Sequence, residues 1–301
     1  MSGRHAYLIQ AHGNFEQLKV LLSLLDDSRN DIFVHVDAKA HGFKESDFDG
    51  VCTSAALVFL EHPINVRWGG PSQIWSEIML LEEALAAGEH SYYHLLSGAD
   101  LPIKTQDEIH SFFEANGGRE FVLFWRKKNS TASRWLYSPF AEYGRYFAGN
   151  LVNNVFKGVQ LLFGRHPHSE VDFRYGANWF SITEDLARYV VSRKDWIRNV
   201  FSHTCNCDEV FLQTLVWNSP FLAKCYDPEE RDSRGDYISN MRFVDWSRGG
   251  HVRHPWVFRS DDFDLLMSRP QMFARKFDIN VDSQVIRRIA GAIGQKSQDS
   301  M

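Results

Sequence analysis

The chain has 301 residues, 44% hydrophobic and 24% charged, with a net charge of −5. That balance describes a globular protein able to bury a sizeable core, and its acidic excess argues against nucleic acid as a partner. Four cysteines are too few for a disulfide framework, and no apolar run reaches the roughly eighteen residues of a membrane span, so the expectation is a cytoplasmic protein, with peripheral membrane contact left open.

The first half alternates strand and helix patterns. Residues 6–12 (AYLIQAH) read as a strand and 14–27 as an amphipathic helix. Residues 31–37 and 56–62 read as strands, and 71–88 as a helix opened by Pro71 and stopped by Gly88. The run 92–100 (YYHLLSGAD) is a strand breaking into a loop with one carboxylate, Asp100. Thr105 and Glu108 have capping-box spacing ahead of a helix that ends at Gly117-Gly118, and 119–125 (REFVLFW) is one more strand. This order predicts an α/β fold with a mostly parallel sheet flanked by helices.

The second half is less regular. Residues 126–174 are aromatic, basic and rich in turns, with a helix pattern at 150–164, and such irregular segments often bind substrate. A strand running into a helix follows at 176–192, with Ser181 and Glu184 spaced as a second capping box. Then come a short helix at 205–219, a strand at 237–246, a helix at 260–268 and the segment 273–278 (FARKFD). No linker divides the chain, so one domain over residues 1–290 is expected, with a polar, disordered tail over 291–301.

Several familiar sites are missing from the sequence. There is no G-x-G-x-x-G after a strand, no G-x-x-x-x-G-K-[ST], no G-x-S-x-G and no H-E-x-x-H, which removes support for dehydrogenase, P-loop, hydrolase and zincin readings. Of two D-x-D triplets, Asp47/Asp49 lies in a polar loop and Asp262/Asp264 opens a helix, where acids suit the dipole. Both read as structural. His203-x-Cys205-x-Cys207 lacks a fourth metal ligand at usual spacing and reads as buried thiols. Asp208-Glu209 heads the short helix; the pair can complement the helix dipole, or one carboxylate can act alone as a general base. Arg253, Arg259, Arg275 and Lys276 supply cations that could balance a diphosphate without metal.

The ordered blocks AYLIQAH, FVHVDAKA, HLLSGADLPIKT, GANWFSIT, CDEVFLQTL, RFVDW and FARKFD resemble the core-2/I-branching glycosyltransferases (glycosyltransferase family 14), which include β-1,6-N-acetylglucosaminyltransferases and peptide O-xylosyltransferases. The resemblance implies a GT-A-type, Rossmann-like fold and inverting, metal-independent transfer of GlcNAc or xylose from a UDP-sugar, with no cofactor. It places the catalytic base on Glu209 and the diphosphate-binding cations on Lys276 and Arg253, with Arg259 as a rival. Donor contacts are expected from His12, Asp37, Trp68, Gly69 and Asp100, and acceptor contacts from Trp179 and Trp246. The acceptor implied is a glycan, a lipid-linked intermediate or a protein. Two other readings remain: a non-catalytic carbohydrate- or nucleotide-binding protein of the same fold, and a metal-dependent glycosyltransferase using one of the D-x-D pairs.

Overall fold

The computed structural model describes residues 3–126, 133–144, 146–164, 167–232, 237–248 and 254–298. The first elements are β1 (His5–Ala11), α1 (Phe15–Leu25), β2 (Asn30–Val36), β3 (Ala56–Phe59), α2 (Ser72–Ala87) and β4 (Tyr92–Ser97). Of these strands, β1, β2 and β4 are nearly continuous apolar runs because both of their faces are covered, whereas β3 is a partly exposed edge. Along β1, Ala6, Tyr7, Leu8 and Ile9 are all buried, alternately facing the core around α1 and the core around α2. Leu8 and Ile9 each contribute about 1.5–3 kcal/mol by leaving water.

Next come β5 (Asp100–Pro102), α3 (Gln106–Ala115), β6 (Phe124–Trp125), α4 (Phe147–Leu162), β7 (Ser181–Thr183) and α5 (Glu184–Ser192). The chain ends with α6 (Lys194–Phe201), α7 (Phe211–Trp217), β8 (Glu230–Arg231), β9 (Arg242–Val244), α8 (Phe263–Ser268), β10 (Phe273–Arg275) and α9 (Ser283–Gln298). Among the described residues the main sheet runs β3-β2-β1-β4-β7; all of these pairs are parallel except β4 with β7. A smaller sheet, β5-β10-β9, continues from the end of β4, so β10 delivers the FARKFD segment beside the carboxyl ends of the parallel strands. The expected α/β architecture is present.

Some local expectations change. The Thr105–Glu108 capping box forms with both of its hydrogen bonds. The second box does not: Ser181 is buried in β7, where its hydroxyl meets His94, and Thr183 caps α5 instead. The REFVLFW strand contracts to β6 plus isolated bridges at Glu120 and Phe121. The end of the chain also differs, since α9 carries helix through Gln298 into the segment read as a disordered tail.

Candidate active site

Ligands in open α/β sheets gather beyond the carboxyl ends of the strands. Here a cavity of about 530 Å³ opens at that edge. His12 follows β1, Asp37 follows β2 and Ser97 ends β4, and all three line it. A turn of 3-10 helix, Cys207–Glu209, supplies Asp208 and Glu209 to the wall. That pair therefore precedes α7 rather than forming its first turn, because Asn206 takes a left-handed conformation and tightens the chain before the helix starts.

Glu209 is half-buried and paired with Arg134, whose Nη1 is 2.5 Å from its Oε2. Burial pushes its carboxyl above the ordinary range, and Arg134 opposes that shift without cancelling it. Asp208 is more deeply buried and shifted in the same direction, first by burial and then by the Glu209 charge. Gln73 donates to Asp208 Oδ2 at 3.0 Å while its own carbonyl accepts from the Gly69 N–H. Since the Asn206 N–H also bonds the Gly69 carbonyl at 2.8 Å, the Trp68–Gly70 turn and the acidic turn form one unit. Gly69 makes this fit, at φ 81 and with space for a Cβ only 3.0 Å from Asn206 Oδ1.

Cations enter from the small sheet. Arg275, at the end of β10, lines the cavity, stacks 4.4 Å from the Trp179 ring and bonds Asp100 Oδ1 at 2.7 Å and the Ser97 hydroxyl. Arg242, on β9, also reaches the cavity lining, although it is almost wholly buried. Its guanidinium donates to the Ser181 hydroxyl at 2.7 Å and to the Asn240 carbonyl at 2.5 Å, and burial pushes its pKa down to about 9. His12 is held below its usual range by desolvation, with Asp37 opposing and Lys276 and Arg275 reinforcing.

The structure thus brings His12, Asp37, Trp68, Trp179, Trp246 and Glu209 to one cavity. Asp100 is not on its surface: it is 1% exposed, and both oxygens are engaged, one by Arg275 and the other by the Ser97 N–H at 2.7 Å. It orients a cation instead of meeting a ligand. Gly69 likewise serves the backbone of the rim. Lys276 is half-buried, outside the lining but near enough to His12 to act on its charge. Arg259 is exposed, lies over the Trp256 ring and does not line the cavity. Arg253 lies outside the described residues; His254 and Pro255, which follow it, line the cavity.

Neither D-x-D pair lines the cavity. Asp47 and Asp49 are exposed, while Asp262 is taken up by Arg248, the Trp256 indole and the Arg259 N–H. No group of three or more His, Cys, Asp or Glu side chains among the described residues is placed to share a metal ion. Sequence reasoning missed Arg134, Gln73 and Arg242. Arg134 had a signal in the basic, aromatic character of residues 126–174, and Arg242 stood unremarked in the RFVDW block.

The Core-2/I-Branching enzyme family matches residues 5–265. The chain belongs to that family of glycosyltransferases. Mouse xylosyltransferase 2 is 23% identical across 94% of this chain, which spans 33% of that protein. The human beta-1,3-galactosyl-O-glycosyl-glycoprotein beta-1,6-N-acetylglucosaminyltransferase is 22% identical across 98% of this chain and 71% of its own length. A crystal structure of apo mouse xyloside xylosyltransferase 1 aligns with 90% of this chain and 96% of its own, at 10% identity and a TM-score of 0.40. This family member therefore covers about a third of the length of the xylosyltransferases it matches.

Proposed function

We propose that this family member transfers xylose or GlcNAc from a UDP-sugar to an acceptor hydroxyl, with inversion and without a metal ion. The observation that carries the reading is the half-buried Glu209 carboxylate, its pKa raised by burial, held by Arg134 in the wall of the strand-end cavity. A general base works best when its pKa lies near the operating pH. Glu209 takes the proton from the acceptor hydroxyl as that oxygen attacks the anomeric carbon. The bond to the diphosphate oxygen breaks, and UDP leaves with its charge stabilised by Lys276 and Arg253. Arg275 supports that role from the cavity lining, fixed by Asp100. His12, Asp37 and Trp68 face the donor, and Trp179 and Trp246 offer ring faces to the acceptor sugar.

The two sugars come from the names of the relatives, a xylosyltransferase and an N-acetylglucosaminyltransferase. The test is UDP release from UDP-xylose and UDP-GlcNAc with EDTA present throughout. Turnover that survives EDTA supports the metal-free route, and turnover restored only by a divalent cation overturns it. Glu209→Gln should lower kcat by about 10²- to 10⁴-fold while UDP still binds. A variant with unchanged kcat would remove Glu209 from the chemistry.

A further inference from the structure

Amphipathic helices on a protein body ordinarily turn their apolar face inward. In α4 the arrangement is reversed. Its only buried residues are Gly149 and Asn153. Asn153 accepts from the Phe140 N–H at 2.9 Å and donates to the Phe140 carbonyl at 3.0 Å, and Gln160 does the same for Tyr137, both bonds being 2.9 Å. Gly149 permits the close approach, since a Cβ there would stand 2.3 Å from the Tyr143 carbonyl oxygen. The polar amides thus fix the helix by satisfying backbone groups of the preceding loop, and they fix its rotation as well.

On the opposite side Phe147, Leu151, Val155, Val159 and Leu162 fall within an arc of about 120° at ideal helical spacing. Their exposures are 86%, 56%, 58%, 50% and 81%. Tyr143 and Tyr146 flank the start of this stripe, both exposed. Rings of this kind prefer the boundary between hydrocarbon and water.

Charge identifies the surface that covers the stripe. In sequence, residues 143–169, between Glu142 and Glu170, contain no Asp or Glu in a chain whose net charge is −5; the segment's cations are Arg145 and Arg165, which lie outside the described residues, and Lys157, which lines the hollow behind the helix. A protein partner would need only the apolar stripe; a segment cleared of acids and supplied with cations matches an anionic lipid surface. No helix among the described residues is long and apolar enough to cross a membrane, so the contact lies in the interface plane. We propose that the outward face of α4 docks into the headgroup region of an anionic bilayer.

The helix is tied to the catalytic rim. Glu142, just before it, accepts from the Ser72 N–H at 2.6 Å at the start of α2, and Arg67 stacks 4.5 Å from the Tyr143 ring. A second hollow of about 470 Å³ lies between, lined by Asn150, Asn153 and Lys157 of α4 and by Trp68, which also lines the strand-end cavity. Docking on α4 therefore brings the Trp68 rim of the strand-end cavity close to the membrane surface.

The experiment is flotation of the full chain with vesicles of phosphatidylcholine containing about one third phosphatidylglycerol, against vesicles of phosphatidylcholine alone. The wild type should float with the anionic vesicles, less with the neutral ones, and less again as salt is raised. The double variant Leu151→Asp/Val155→Asp should lose about tenfold or more of this binding at an unchanged melting temperature. Phe147→Asp serves as an independent variant if the double one melts early. Wild-type protein left at the bottom of the gradient, or variants that float as well as wild type, would overturn the proposal. So would a dimer in sedimentation velocity that the variants dissolve without any vesicle binding, since α4 would then face a second copy. Flotation is read without turnover, so its failure is separate from failure of the proposed reaction.

Discussion

Replacing Arg134 by Met tests how the proposed base is tuned. The pair is close, with Arg134 Nη1 at 2.5 Å from Glu209 Oε2, and the side chains retain 26% and 30% exposure. At a charge separation of about 4 Å and an effective dielectric near 20, Coulomb attraction is worth about 4 kcal/mol. Screening through the open cavity reduces that to about 1–2 kcal/mol. One pKa unit corresponds to about 1.4 kcal/mol, so removing the guanidinium should raise the Glu209 pKa by about one unit. Burial already holds this carboxyl above its ordinary range, and the substitution moves it further the same way. A general base works deprotonated, so the acid limb of the kcat/KM profile should move up by about one unit. On that limb the variant should be about tenfold slower, while its high-pH plateau stays within a few-fold of wild type. The assay is UDP release across pH. A uniform loss at every pH, with the limb unmoved, would refute the tuning role and assign Arg134 to substrate contact.

Three further outcomes are expected. Gly69→Ala forces a side chain into φ 81 against Asn206, and should cost about 1–3 kcal/mol in urea unfolding; an unchanged midpoint would show that the rim turn relaxes freely. Asp100→Ala strips Arg275 of its buried partner and should cost about 2–3 kcal/mol, below the usual range for buried pairs because Arg275 keeps 21% exposure; equal stability would show the pair to be neutral. Glu120 is buried with a pKa raised to about 7, so the folded state holds its proton longer than the unfolded chain, and this group's contribution to stability falls as pH rises from about 4.5 to 7. Glu120→Gln should remove that decline, so stability relative to wild type should improve by about 3 kcal/mol over this window, and parallel stability–pH curves would contradict it.

The parallel half of the fold was legible because its signals are local. Both faces of β1, β2 and β4 are buried, so they read as apolar runs, and Thr105 with Glu108 marks the start of α3 through bonds only three residues apart. The second half depends on distant partners. Ser181 and Glu184 have the same spacing as the working box, but the Ser181 hydroxyl is taken by His94 and Arg242, and Glu184 accepts from the His90 N–H. Spacing cannot register such competition. For α9, Val285, Ile286, Ile289 and Ile293 repeat at helical intervals and are buried, so its apolar face was present in the sequence. The polar character of the last residues masked the fact that this face reaches Ile293.

The site divides along the same line. Glu209 reaches the cavity because the CDEVF block places it on a turn between the rim and α7, which the ordered family blocks could locate without coordinates. Asp100 shows what they could not. A carboxylate just beyond a central strand invites the reading of ligand contact, but its fate depends on the strand that pairs beside it, and that strand comes from 173 residues later in the chain, where β10 sets Ala274 opposite Leu101. This pairing puts Arg275 against Asp100, and the carboxylate charge is spent on holding a guanidinium at the cavity wall. The same register carries Lys276 past the end of the strand toward His12, where its charge is felt. An acid at this position bonded to an arginine fixes the place of that guanidinium on the wall, and a positioned donor is what the proposed diphosphate contact requires of it.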